Sequence, residues 1–178
     1  MKKHLMTGLL AALALTANAQ SFKEWQDPEI NAVNRATMHT NYFAYESVDA
    51  ASRGAKEQSS YFMTLNGTWK FFGVKNTDAR PVDFWKVDFN DKGWSTMPVP
   101  GVWELNGFGD PIYVNTGYAW RNQFNNNPPQ VPTENNHVGS YRREITVPAD
   151  WGGKEIIAHF GSVTSNIYLW VNGRYVGY

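Results

Sequence analysis

The sequence predicts an all-β protein, an antiparallel β-sandwich, and three observations carry that expectation. Short runs alternate with period two: in 165–171, Ile167, Leu169 and Val171 fall on one face and Tyr168 and Trp170 on the other. Turn signals separate such runs at roughly 8–12 residues. Helical periodicity is nearly absent.

The elements follow in order. Residues 1–19 read as a secretory signal peptide: a basic start at Lys2, Lys3 and His4, an apolar core from Leu5 to Leu15, and an A-x-A site at 17–19. That core is shorter than the roughly 20 residues a spanning helix needs, and no Cys follows the cleavage site, so a lipoprotein anchor is excluded. The mature chain is expected to start at Gln20, in a periplasm or outside the cell. Residues 20–60 are polar and irregular and read as an extended arm, with 50–58 either a short helix or a loop. From 61 the β pattern begins. Apolar runs flank Asn66–Gly67, a hairpin or tight-turn signal. Residues 81–94 read as a loop with a short helix or strand. Strands are expected at 139–147, 154–160 and 165–171, with 149–153 a turn and Asn172–Gly173 turning the last strand back into 174–178. The 61–178 region is one domain, and its last hairpin at Tyr178 reads as a truncated sandwich, incomplete at the C-terminus.

Composition narrows the function. The 178 residues carry 16 basic and 16 acidic side chains, with no basic patch of the kind a nucleic-acid binder shows. There is no Cys, so an exported domain must rely on its core, and 8 Trp, 9 Tyr and 10 Phe make that core aromatic. Charged residues are 18%, below the roughly 25% of ordinary soluble domains. His39, His137 and His159 form no ligand cluster, so no metal site is expected from this chain alone.

The richest segment is 99–115, V-P-G-V-W-E-L-N-G-F-G-D-P-I-Y-V-N. Gly and Pro shape its backbone, and shaped loops are where binding groups are carried. Asn115 closes it. An amide offers two donors and an acceptor to sugar hydroxyls, and an Asn equally closes a turn. Tyr118, Trp120 and Arg121 follow as candidate secondary sugar contacts, with packing as the alternative; Trp69, Trp103 and Trp170 read as packing. Glu104, Asp110, Glu134 and Glu144 show no paired spacing and read as solvated or structural groups, so no catalytic residue is assigned in this chain. Arg35, Arg142 and Arg143 read as partners in structural ion pairs. Asn66–Gly67–Thr68 is formally a glycosylation sequon but reads as a turn.

Together these motifs resemble the N-terminal sugar-binding domain of family 2 glycoside hydrolases, in particular the large bacterial β-galactosidases. The resemblance lies in L-N-G-x-W-K-F at 65–71, V-P-G-V-W-E at 99–104, G-D-P-I-Y-V-N at 109–115, P-P-Q-V-P-T-E-N-N at 128–136, G-S-Y-R-R-E-I-T-V-P at 139–148 and H-F-G-S-V-T-S-N-I-Y-L-W-V-N-G-R-Y-V-G-Y at 159–178, with Asn34, Arg35 and His39 fitting the arm. It implies a jelly-roll sandwich that braces an absent catalytic barrel, and a complete enzyme that hydrolyses terminal non-reducing β-D-galactosides with retention. It implies that Asn115 contacts the galactosyl unit, that Mg2+ and a monovalent cation such as Na+ serve the complete enzyme from residues outside this segment, and that the complete enzyme is a homo-oligomer containing the missing C-terminal domains. This segment alone would be inactive. The alternatives are a free-standing carbohydrate-binding module and a scaffold domain without sugar contact.

Overall fold

The computed structural model describes residues 22–111, 113 and 130–178. The expected signal peptide therefore lies outside the described residues.

Two antiparallel sheets organise what is described. The larger has the order β2–β1–β3, with β1 Gly67–Val74, β2 Ser95–Val99 and β3 Val138–Arg142. The smaller is a hairpin of β4 Leu169–Val171 and β5 Arg174–Gly177. The single α-helix among the described residues, α1 Val48–Arg53, is capped by Ser47 accepting from the Ala50 N–H and is stopped by Gly54 at φ 67°. The all-β expectation holds.

β1 is central because both its edges are paired, one with β2 and the other with β3, and each of its faces carries contacts. Trp69 pairs with Met97, and Phe71 lies opposite both Ser95 and Tyr141, so these side chains share one face. Phe71 and Met97 are fully buried there. The Phe71 ring meets Phe108 at 4.5 Å, Tyr141 at 4.9 Å and Trp103 at 6.0 Å between centroids. On the opposite face Phe72 stacks on Trp94 at 5.6 Å, and Lys70 and Arg142, directly opposite each other, converge on the carboxylate of Asp91. Trp94 touches Phe84, and Phe84 meets Trp170 of β4 edge-on at 5.2 Å. A chain of rings thus links the two sheets, each contributing a large apolar area.

The arm is fastened to the hairpin. Val33 and Tyr178 exchange both backbone hydrogen bonds at 3.0 Å, and Asn34 Nδ2 donates to Val176 O. Phe22 packs against Tyr168, Trp170 and Tyr175. The Tyr168 hydroxyl donates to Glu24 at 2.9 Å; burial first, and that carboxylate second, raise its pKa. The arm therefore shields the outer edge of β5, which would otherwise be open to pairing.

Several expected elements differ. Asn66–Gly67 is not a hairpin: it is the entry to β1, and 62–65 forms no strand. Arg143 donates to the carbonyls of Leu65 and Asn66 and so holds that entry. Asn172–Gly173 is a hairpin turn, with φ of 50° and 76°, the two positive angles a type I′ turn requires. The expected strand at 139–147 ends at Arg142, and 154–160 forms none, leaving Ile157 70% exposed. Alternation marks a segment able to pair; a strand also needs a neighbour to receive its backbone groups, and 154–160 has none among the described residues. Residues 149–151 form a 3₁₀ turn before Gly152 and Gly153, as the turn expectation requires.

Candidate functional site

The Gly-Pro run leaves β2 at Val99 and folds back over the buried face of the sheet. Its base is rigid for stated reasons. The Trp103 carbonyl accepts from the N–H groups of Asn106 (2.9 Å) and Phe108 (3.0 Å), and Asn106 Nδ2 donates to Val102 O at 2.8 Å. Gly107 and Gly109 take φ of 83° and 74°, a region that suits glycine. Trp103 and Phe108 both dock on Phe71, and Trp103 Nε1 donates to the Tyr141 hydroxyl, whose pKa burial raises. Trp103 is therefore a packing residue. So are Trp69, whose Nε1 donates to Leu65 O at 2.8 Å, and Trp170 in the ring chain.

Beyond the base, Asp110 and Tyr113 face outward. Asp110 pairs with Lys75 at 3.4 Å with both side chains more than two-thirds exposed, an ion pair of small energetic weight. Tyr113 is 88% exposed. Asn115, Tyr118, Trp120 and Arg121 lie outside the described residues.

The four carboxylates considered from the sequence do not form a cluster. Among the described residues no group of three or more His, Cys, Asp or Glu could hold a metal, so these residues do not fit a metal site. Arg142 makes the expected ion pair, Nε to Asp91 Oδ2 at 3.0 Å, while Arg143 serves backbone carbonyls and lies over the Trp69 ring. Arg35 has no ion pair among the described residues.

One carboxylate stands out that sequence reasoning did not single out. Glu46 accepts from Ser59 Oγ and Ser60 Oγ at 2.8 Å and from the Ser60 N–H. Its own backbone N–H first, then the two hydroxyls and last the Ser60 N–H, hold its pKa at about 2. It borders a hollow of about 210 Å³ with Arg53 and Gln58. Its oxygen is already occupied by hydroxyls, so the arrangement fastens residues 46–60 rather than offering a free acid or base. The signal was the Ser59–Ser60 pair, which has no distinctive spacing.

Residues 62–178 match the family model described as "Glycosyl hydrolases family 2, sugar binding domain". The chain belongs to the family 2 glycosyl hydrolases. The part of this family 2 chain that matches spans both sheets and the whole Gly-Pro run, and the arm, residues 20–60, precedes it. Relatives agree. The chain is 35% identical over 164 residues to a protein named beta-galactosidase from Priestia megaterium, covering 92% of this chain and 16% of that one. It is 36% identical to a beta-galactosidase of Halalkalibacterium halodurans, covering 86% and 15%, and 38% identical to one of Streptococcus thermophilus, covering 85% and 14%. The chain thus spans about a sixth of the length of these curated relatives.

Proposed function

We propose that this chain is the sugar-binding portion of an exported β-galactosidase that removes terminal non-reducing β-D-galactosyl groups with retention. The observation that carries the reading is identity of 35–38% to three beta-galactosidases over most of the chain. Retaining hydrolysis uses two carboxyl groups about 5–5.5 Å apart, one nucleophile and one acid/base. The matched region spans a small share of the relatives, so in this reading the pair comes from elsewhere in a longer polypeptide, as do the residues that would hold Mg2+ and Na+.

The chain's own part is to bind and orient. Trp103 and Phe108, anchored on Phe71, give the Gly-Pro run a fixed base. From that base the run would carry Asn115 to the galactosyl unit, where a neutral amide can both donate to and accept from sugar hydroxyls. Tyr118, Trp120 and Arg121 would add contacts. Export rests on the leader-like residues 1–19, with a periplasmic or extracellular destination. The complete enzyme would be a homo-oligomer.

The test is hydrolysis by the complete polypeptide that contains this segment. o-Nitrophenyl β-D-galactoside should be cleaved in preference to the matching β-glucuronide and β-mannoside, with retention seen by NMR. The 178-residue chain alone should show no turnover. Preference for another glycoside, or turnover by the chain alone, would overturn the reading.

A further inference from the structure

Three Asn-Gly dipeptides lie among the described residues, at 66–67, 106–107 and 172–173. Such a pair is able to modify itself. The glycine nitrogen, with no side chain beside it to crowd a ring, loses its proton and attacks the amide carbon of the preceding Asn. A five-membered imide forms, ammonia leaves, and water opens the ring to an aspartyl or iso-aspartyl residue. The demanding condition is a peptide nitrogen without its proton, whose negative charge is shared onto the Asn carbonyl oxygen. A donor already placed on that oxygen lowers the barrier.

The three sites are alike in sequence and unlike in structure. All three asparagines are exposed. Asn106 has its amide committed: Nδ2, the nitrogen that would leave, donates to Val102 O at 2.8 Å. Asn172 is held in the two-residue turn at φ 50°, and Gly173 is packed so that a Cβ there would stand 3.4 Å from Val87 Cγ2. Among the described residues, Asn66 is the one of the three whose carbonyl accepts from a cation. Arg143 Nη1 donates to Asn66 O at 3.0 Å. The same nitrogen donates to Leu65 O, and the guanidinium lies over the Trp69 ring at 5.7 Å from its centroid, so its place is fixed. A Cβ on Gly67 would stand 3.5 Å from Arg143 Nη1, so a permanent positive charge stands beside the 66–67 peptide. The Asn66 amide itself makes no hydrogen bond to the described residues, which leaves it able to turn toward the Gly67 nitrogen. Gly67, at φ 133°, is the first residue of β1 and pairs on one edge alone, with Val99. Strand ends open more readily than strand centres.

We propose that Asn66–Gly67 is a self-modification site primed by Arg143. The guanidinium stabilises the charge that the attacking peptide places on Asn66 O, and the chain converts there ahead of its other two described Asn-Gly pairs. The Gly67 N–H proton passes to solvent base, and the nitrogen lone pair forms the bond to Asn66 Cγ. The Cγ–Nδ2 bond breaks as Nδ2 takes a proton from water and leaves as ammonia. One water then cleaves one of the two C–N bonds of the imide that join Asn66 to the Gly67 nitrogen. Cleavage at Cγ restores the main chain with an aspartyl side chain, and cleavage at the main-chain carbonyl gives the iso-aspartyl form. Water enters and ammonia leaves, with no oxidant or reductant. Either product carries a carboxylate beside Arg143, and the iso-aspartyl form adds a methylene to the main chain just ahead of the Gly67–Val99 pair.

The test follows the three sites in the folded complete polypeptide, incubated in ammonia-free buffer at mildly alkaline pH. Peptides covering each site are read by mass and by separation of aspartyl from iso-aspartyl forms. Conversion at position 66 should outrun that at 106 and 172 by about tenfold or more. In urea, where Arg143 no longer faces the peptide, the lead of position 66 should vanish. Arg143→Gln keeps N–H donors and removes the charge; it should slow conversion at 66 by about tenfold and leave 106 and 172 unchanged. If that variant unfolds, the wild-type comparison of folded and urea-treated chains decides. Equal rates at the three sites in the folded wild type, a lead that survives in urea, or unchanged or faster conversion at 66 in folded Arg143→Gln would overturn the proposal.

Discussion

Gly139 and Phe71 occupy one space: a Cβ on Gly139 would stand 2.7 Å from Phe71 Cε2 and 2.6 Å from Trp103 Cζ2. Gly139 pairs across the ladder with Gly73, where a Cβ would lie 2.9 Å from Phe71 Cε1. Two facing glycines thus clear the room in which the buried ring lies, and that ring anchors Trp103 and Phe108 at the base of the Gly-Pro run.

Gly139→Ala should therefore destabilise by overpacking, by about 1–3 kcal/mol in urea denaturation. Phe71→Ala should cost more, about 3–5 kcal/mol, since it empties a fully buried site. The double variant should cost less than the sum of the two, because removing the Phe71 ring removes one of the two clashes and leaves Trp103, which packs on that ring, room to shift from the other. Additive losses would show that the two residues do not contest the same volume.

The charge cluster on the opposite face gives a pH prediction. Lys70, first, and Arg142 hydrogen-bond the Asp91 carboxylate, whose side chain is 14% exposed, and hold its pKa below the usual carboxylate range against the opposing effect of burial. A depressed native pKa stabilises above the unfolded value of about 4 and loses that contribution as pH falls through the native value. Asp91→Asn should cost about 1 kcal/mol at pH 7, partial exposure of Lys70 keeping it small. It also leaves Lys70 and Arg142 facing each other unneutralised. The gap between wild type and variant should shrink below about pH 4, measured by urea denaturation across pH. A gap constant down to pH 2 would contradict the assignment.

Gly177 tests the fastening of the arm. A Cβ there would come 2.4 Å from the Val33 carbonyl oxygen, a backbone atom that moves only with the arm. Gly177→Ala should break the Val33–Tyr178 pair and free the arm, so that limited proteolysis cuts within residues 22–45 faster than in wild type. An unchanged cleavage rate would mean that Phe22 and its ring contacts hold the arm unaided.

Much of this was legible in the sequence, for identifiable reasons. The Asn172–Gly173 hairpin was, because those residues favour the positive φ a two-residue turn requires. The packing roles of Trp69, Trp103 and Trp170 followed from aromatic area. Asn66–Gly67 misled, because the same dipeptide can open a strand whose partner is distant: β1 pairs with β2 and β3, not with 62–65. The strand expected at 154–160 shows that alternation encodes a face and not a neighbour. Arg143 was expected in an ion pair because its charge is visible and the carbonyls of Leu65 and Asn66 are not. The Asn76–Asn135 contact was illegible because it joins residues 59 positions apart through one exposed amide.

The most direct test of the account is the kinetics of Asn115→Ala in the complete polypeptide acting on o-nitrophenyl β-D-galactoside. If the Gly-Pro run carries a substrate contact, KM rises, kcat falls, and kcat/KM drops by about tenfold or more, equivalent to about 1.4 kcal/mol, at an unchanged melting temperature. Wild-type kcat and KM in the folded variant would contradict it.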